Sequence, residues 1–353
     1  MLDFVTEKVS IWEYIRDCKK PIALYGMGDG AEKIIRAMQK VGRKPDAVFA
    51  SEGFARHNNF CGYIVKNLSE VEEELGDFLV LLSFATERDD VLQLIYSVAE
   101  RHELRAPDVP VIDCTEVFDI DFLEKNAEKI QKVYDLLEDE FSRKVFADCI
   151  NYKISGKIEY LKNCHTPKSE VYEKLIRPND SEVFVDLGAY NGDTVREFLS
   201  FAKGYRSIHA FEPDGKNFAK LSKCCEGLEN IHLHNKGAHN KKDTLFFEGK
   251  AGRNSALSQK GTTPVEVDSV DNLCFDFVPT IIKFDVEGAE KEALFGCERT
   301  IKAYKPRLMV SAYHKSEDIF ELPLLIKKLN PEYKLYFRHH PYLPCWETNC
   351  YAL

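Results

Sequence analysis

Three carboxylates stand where apolar, extended runs give way to turns. Asp186 ends Val183-Phe-Val-Asp186, Glu212 ends Ala210-Phe-Glu212, and Asp285 follows Thr280-Ile-Ile-Lys-Phe284. Between the first two lies the turn Gly188-Ala-Tyr190-Asn191-Gly192-Asp193. Its glycines let backbone approach a ligand closely. Tyr190, however, fills a place that a dinucleotide loop gives to glycine, and a carboxylate at Asp186 repels pyrophosphate. The pair suits a ligand with an ammonium group and a sulfonium. Glu212 is placed to accept hydrogen bonds from both hydroxyls of a ribose. Pro213 and Gly237 complete this candidate binding set.

These residues need a frame that puts several strand ends side by side. From residue 181 onward, apolar runs alternate with helical spacing: Val183–Asp186, a helix through Val195, Phe198 and Leu199, then Ser207–Phe211 and Ile231–His234. Thr280–Phe284 and Leu308–Ser311 read as central strands. Thr244–Phe247 with Val265–Val267, and Tyr333–Phe337 with Thr348–Tyr351, read as strand pairs. Strands separated by helices imply a parallel sheet covered by helices, an α/β class with ligands beyond the C-terminal strand ends. A smaller doubly wound unit precedes it. Its expected strands are Pro21–Tyr25, Ala47–Ala50, Phe78–Leu82 and Val109–Ile112, with a helix through Ala31, Ile34, Ile35, Met38 and Val41. Ile130, Val133, Tyr134, Leu137, Phe141 and Val145 form the apolar stripe of a helix between the two. The expected division is residues 1–115, a helical connector over 116–180, and 181–353.

The chain has 353 residues, which suits two domains at roughly 150 residues each. A net charge of −10 disfavours phosphate backbones as general partners. No apolar run approaches a membrane-spanning length and no secretory signal opens the chain, so a cytoplasmic protein is expected. The 11 cysteines include no Cys-x-x-Cys spacing, which suggests reduced thiols and gives no spacing for a zinc site.

Val185-Asp-Leu-Gly-Ala-Tyr-Asn-Gly-Asp193, Ala210-Phe-Glu-Pro-Asp214 and Lys283-Phe-Asp-Val-Glu-Gly-Ala-Glu290 resemble the FkbM family of methyltransferases. The resemblance covers roughly residues 181–353. It implies a class I methyltransferase fold, preceded here by the smaller Rossmann-like unit. It also implies S-adenosylmethionine as donor and methylation of a hydroxyl on a carbohydrate or natural product. The stretch from Ser311 to Tyr351, with His314, Arg338 and His339, fits a subgroup rather than the general pattern, so the acceptor's identity is not implied.

Methyl transfer to a hydroxyl needs in-line alignment and a proton acceptor. Asp285, Glu287 and His314 lie where the reactive end of the donor would be and are the candidate catalytic residues. His314 suits a general base near neutral pH, or a loop histidine bonded to backbone. Glu290 reads as a first-turn helix acid, and His339 and His340 as structural or surface residues. No spacing demands a metal. Asp285-Val-Glu-Gly288 stands where a base-amine methyltransferase carries Asn/Asp-Pro-Pro-aromatic, which again argues against nucleic acid.

Gly26, Gly28 and Gly30 form a second glycine turn. A nucleotide or nucleotide-sugar could sit there, or the module could serve packing or a homodimer. An NAD-dependent oxidoreductase using this loop, and a non-catalytic nucleotide sensor, are the alternatives to a methyltransferase acting on a small molecule.

Overall fold

Each region of alternating strand and helix builds its own parallel sheet. The computed structural model describes residues 2–112, 116–247, 257–258, 263–273 and 276–353. In the first half, α1 (Ile11–Asp17) is entered through a capping box between Ser10 and Glu13. Then come β1 (Ile22–Tyr25), α2 (Asp29–Lys40), β2 (Ala47–Phe49), β3 (Asn59–Phe60), β4 (Tyr63–Lys66), α3 (Leu68–Leu75), β5 (Leu79–Leu82), α4 (Asp89–Ala99) and β6 (Glu103–Arg105). The order is β3-β4-β2-β1-β5-β6, with β3 antiparallel to β4 and the other pairs parallel. Helix α2 buries Ala31, Ile34, Ile35 and Met38.

One expected strand is absent. Val109–Ile112 is irregular, and the last strand lies earlier, at β6. Pro107 and Pro110 have no N–H to give a ladder. The carbonyls of Pro110 and Val111 instead accept bonds from Lys33 Nζ at 3.2 and 2.6 Å. The expected boundary at 115 falls in residues 113–115, outside the described residues.

The middle of the chain is helical: α5 (Ile120–Lys125), α6 (Ala127–Leu136), α7 (Glu140–Ser155), α8 (Ile158–Lys162) and α9 (Lys168–Val171), followed by one π-helical turn at Tyr172–Ile176. The single apolar stripe is two helices. The chain extends at Leu137, and Asp139 caps α7 by accepting a bond from Ser142 N at 2.6 Å. Phe141 is consequently exposed. These helices pack on the second sheet, α7 against its edge and α6 against a later helix.

That sheet begins with β7 (Val183–Leu187), α10 (Asp193–Phe201), β8 (Ser207–Phe211), α11 (Gly215–Cys224) and β9 (Ile231–His234). A small sheet follows, from β10 (Gly237–Ala238), β11 (Asp243–Phe247), β12 (Leu257–Ser258) and β13 (Thr263–Asp268), with β11 and β13 paired antiparallel. After α12 (Val270–Leu273) come β14 (Ile281–Phe284), α13 (Glu290–Phe295), α14 (Glu298–Tyr304), β15 (Arg307–Ser311), α15 (Asp318–Leu329), β16 (Leu335–His339) and β17 (Thr348–Ala352). The strand order is β16-β17-β15-β14-β7-β8-β9. Only β17 opposes its neighbours, so a final hairpin closes an otherwise parallel sheet.

The two halves share one apolar core that runs from Tyr25 and Phe78 through Phe146 to Phe284 and Phe337. A buried ion pair lies at their junction, Lys153 Nζ to Asp108 Oδ2 at 2.9 Å, with side chains 3% and 5% exposed. Asp108→Ala leaves that ammonium buried and alone, so stability should fall by roughly 3–5 kcal/mol. Urea titration reads this as a lower midpoint at an unchanged slope. An unchanged midpoint would contradict the assignment.

Candidate active site

The strand order places β7 and β14 side by side, with Asp186 directly opposite Lys283. The turn after β7 is fixed by its neighbours. Gly188 N and Ala189 N donate to the Phe211 carbonyl at 3.0 and 2.9 Å, and Asp285 N donates to the Leu187 carbonyl at 3.0 Å. A Cβ on Gly188, whose φ is +93°, would stand 1.8 Å from the Asp285 carbonyl oxygen. Only glycine fits there. Gly192 is equally confined, since its Cβ would meet Cys224 Sγ at 2.6 Å. Asn191 Oδ1 accepts from Asp193 N at 3.2 Å, and Asp193 Oδ1 accepts from Thr194 N at 2.9 Å, which sets the start of α10.

Asp186 is fully buried, and neither carboxyl oxygen has a hydrogen-bond partner. Burial pushes its pKa to about 7, with Lys283 opposing the rise and Asp193 and Asp285 adding to it. Glu212 is 6% exposed. Its two oxygens accept from Tyr190 N at 2.9 Å and Asp214 N at 2.8 Å. Burial raises it to about 7 despite those bonds. Each oxygen keeps a lone pair for a further donor. Pro213 packs against Gly237, which needs its small size to sit under Val267 and Pro213.

A cavity of about 370 Å³ opens beside this turn. Of the residues singled out in the sequence, Gly188, Tyr190, Asp193, Asp285, Glu287, His314 and His340 line it. Asp186, Asn191, Gly192, Glu212, Pro213 and Gly237 are outside its lining. The sequence reading missed Lys168, Glu197, Lys283, Tyr313, Trp346 and Glu347, which also line it. Lys283 had a legible signal, because residues two apart on a strand share a face and Asp285 was already marked. Lys168 and Glu347 had none. They meet through folding of the middle helices and the last hairpin, with Lys168 Nζ 2.6 Å from Glu197 Oε2 and 3.8 Å from Glu347 Oε2. Glu87 and Val111, from the first half, complete the wall.

Charge is distributed unequally among the candidate catalytic groups. Asp285 sits against Lys283 Nζ at 2.8 Å and accepts from the Tyr313 hydroxyl at 3.1 Å. Burial disfavours its charge, but Lys283 and His314 outweigh that and hold it at about 2. His314 stands 3.0 Å from Glu290 Oε1, 3.5 Å from Glu287 Oε2 and 3.6 Å from Asp285 Oδ1. Burial opposes its charge, yet these carboxylates raise it to about 10. The direction of that shift favours the imidazolium, which has no lone pair to take a proton. Glu290 is buried and bonded to Val286 N and Gly288 N at 2.9 and 3.3 Å. It is a helix-start acid that also holds His314. Glu287 differs from all of these. It has φ +51°, a costly conformation for a side-chain-bearing residue. Its side chain is 40% exposed where it faces the cavity, and crowding by the protein raises its pKa to about 7.

Asp285, Glu290 and His314 bring one ligand atom each within 4.8 Å, as a metal would need. His339 and His340 are buried rather than superficial, and both are hydrogen-bonded.

In the first glycine turn, packing explains Gly26 and Gly30, while Gly28 has open space around it and a φ of +116°. A Cβ at Gly26 would meet the Phe84 ring at 2.6 Å, and one at Gly30 the Ser83 carbonyl at 2.4 Å. Asp29 opens α2 and pairs with Lys33 at 2.8 Å, which puts an acid where a phosphate would bind.

A parallel sheet closed by an antiparallel final hairpin, with acids at adjacent strand ends, defines the Rossmann-like methyltransferase fold. Residues 186–342 match the family model described as methyltransferase FkbM domain, and the chain carries that domain. The crystal structure of methyltransferase FkbM from Methylobacillus flagellatus KT aligns at TM-score 0.71 and 22% identity, over 95% of this chain and 90% of that one. A putative rRNA methylase from Clostridium thermocellum aligns at TM-score 0.36 and 10% identity, over 52% and 91%. No curated protein matches the chain. No helix among the described residues is long and apolar enough to cross a membrane.

Asp186→Asn removes a buried carboxyl that ionises near pH 7. Its raised pKa means the ligand-free protein loses stability as pH climbs from the ordinary carboxylate range towards 7. The melting temperature of the variant relative to wild type should therefore rise between pH 5 and pH 8. A pH-independent difference would contradict this.

Proposed function

We propose that the protein transfers a methyl group from S-adenosylmethionine to a hydroxyl of a small polyhydroxylated acceptor. The observation that carries this reading is Asp186, buried with both oxygens unpartnered, beside Glu212 at the next strand end. An unsatisfied buried polar group costs roughly 1–3 kcal/mol, and a ligand's ammonium group at this turn would relieve it. Asp186, the turn at Gly188–Asp193 and Glu212 would hold the donor. When bound, S-adenosylmethionine supplies a methyl group already activated by its sulfonium.

The chain's own task is then alignment and proton removal. Glu287 takes the hydroxyl proton, because its raised pKa suits a base at neutral pH. Asp285 is held by Lys283 and Tyr313 and orients the acceptor as a hydrogen-bond acceptor. The His314 imidazolium fixes Glu287 and Glu290. Aromatic faces at Tyr342 and Trp346 beside carboxylates support a carbohydrate-like acceptor, and the acids disfavour an anionic one such as a nucleotide. No observation favours the oxidoreductase or sensor alternatives.

Calorimetric titration with S-adenosylmethionine and with NAD tests the donor. Wild type should bind only the former, Asp186→Asn should weaken that binding at least tenfold, and Gly28→Val should leave it intact. Binding of NAD alone would overturn the reading. For the chemistry, Glu287→Gln should retain donor affinity and lose most turnover, roughly the 10²–10⁴-fold that a general base contributes. Wild-type turnover should rise with pH through about 7 as Glu287 ionises. Full activity in Glu287→Gln would remove the proposed base.

A further inference from the structure

Cys149 on α7, Cys164 after α8, and His339 and Cys345 on the β16–β17 hairpin meet in the core, each fully buried. One ligand atom each from Cys149, His339 and Cys345 lie within 4.8 Å of one another. The Cys164 thiol, near enough to Cys149 to help push its pKa up, donates to the Leu161 carbonyl at 3.4 Å. Nothing in the methyl-transfer chemistry uses these groups.

Their hydrogen bonds do not close. His339 Nε2 is 3.2 Å from the Tyr342 carbonyl, a contact that requires the ring proton to be there. Nδ1 is then a bare lone pair. It lies 2.9 Å from Thr348 Oγ1, and the same hydroxyl lies 2.9 Å from the Cys345 carbonyl. One hydroxyl proton faces two acceptors among fully buried side chains, and an unsatisfied buried acceptor is costly. Thr348 Oγ1 is also 3.3 Å from Cys345 Sγ and 3.8 Å from Cys149 Sγ, so Nδ1 and both sulfurs crowd around this one hydroxyl. A histidine that binds a metal through one nitrogen typically donates the other N–H to a carbonyl, as this one does.

We propose that Cys149, Cys345 and His339 bind a structural Zn²⁺, with Cys164 as the fourth ligand after a rotation about its Cα–Cβ bond. Thiolate and imidazole donors in a closed site select this borderline-soft cation. Binding displaces the three thiol protons to solvent, and Nδ1 bonds the metal while the Thr348 hydroxyl donates to the Cys345 carbonyl. The site joins α7 and the middle helices to the hairpin whose next residues, Trp346 and Glu347, line the cavity.

The full chain, expressed untagged in zinc-supplemented medium and purified without chelator, should carry about one zinc per chain by mass spectrometry, as a closed four-ligand site does. Protein grown with cobalt should show thiolate-to-cobalt charge transfer and the visible bands of a tetrahedral site. Cys149→Ser and Cys345→Ser should lose the metal. If those variants fail to fold, the wild-type cobalt spectrum and a lower melting temperature with 1,10-phenanthroline still decide. Wild-type protein that carries essentially no zinc and melts unchanged with added zinc overturns the proposal. So does cobalt bound without thiolate bands.

Discussion

The site depends on one close approach. The turn after β7 lies so near the Asp285 backbone that a side chain at position 188 would occupy the place of its carbonyl oxygen. That contact locks the ends of β7 and β14 together. It sets Asp186 opposite Lys283 and brings Asp285 over the same lysine. The rest of the site follows from this pairing, because β8 on one side leads to Glu212, outside the cavity lining, and β15 on the other leads to Tyr313 and His314, which line it.

Charge compensation then divides the carboxylates by role. Lys283 keeps Asp285 ionised and a poor base. His314 is enclosed by acids, which push its pKa up to about 10 against the cost of burial. Glu287 is left with weaker compensation and a pKa near neutrality. Groups within a few ångströms thus acquire different protonation states from their surroundings, as acid–base sites require. Backbone strain at Tyr190, Glu287 and Glu347, all at positive φ and all on the cavity wall, fits a site over-determined by its frame.

Much of this was legible in the sequence. The strands of the second sheet were visible as apolar runs between helical spacings, and the strand-end acids as exceptions to them. Val109–Ile112 misled because an apolar run flanked by prolines looks like a strand until its missing donors are counted. The Tyr63–Lys66 strand was too short and too close to an edge to stand out. The position of His314 was readable, but its charge was not, since that depends on Glu290 from a preceding helix. Lys168 and Glu347 were hidden for a similar reason. The grouping of Cys149 with His339 and Cys345 was hidden because α7 and the β16–β17 hairpin, far apart in the chain, supply it.

The central claim is that the β7–β8 strand ends hold the methyl donor and turn its reactive end towards Asp285 and Glu287. The most direct measurement is a crystal structure with saturating S-adenosylhomocysteine. The account predicts ribose hydroxyls on Glu212, the amino group at the Asp186 turn, and the sulfur facing the cavity. The ligand bound at Gly26–Gly30, or the β7–β8 turn left empty, would contradict it.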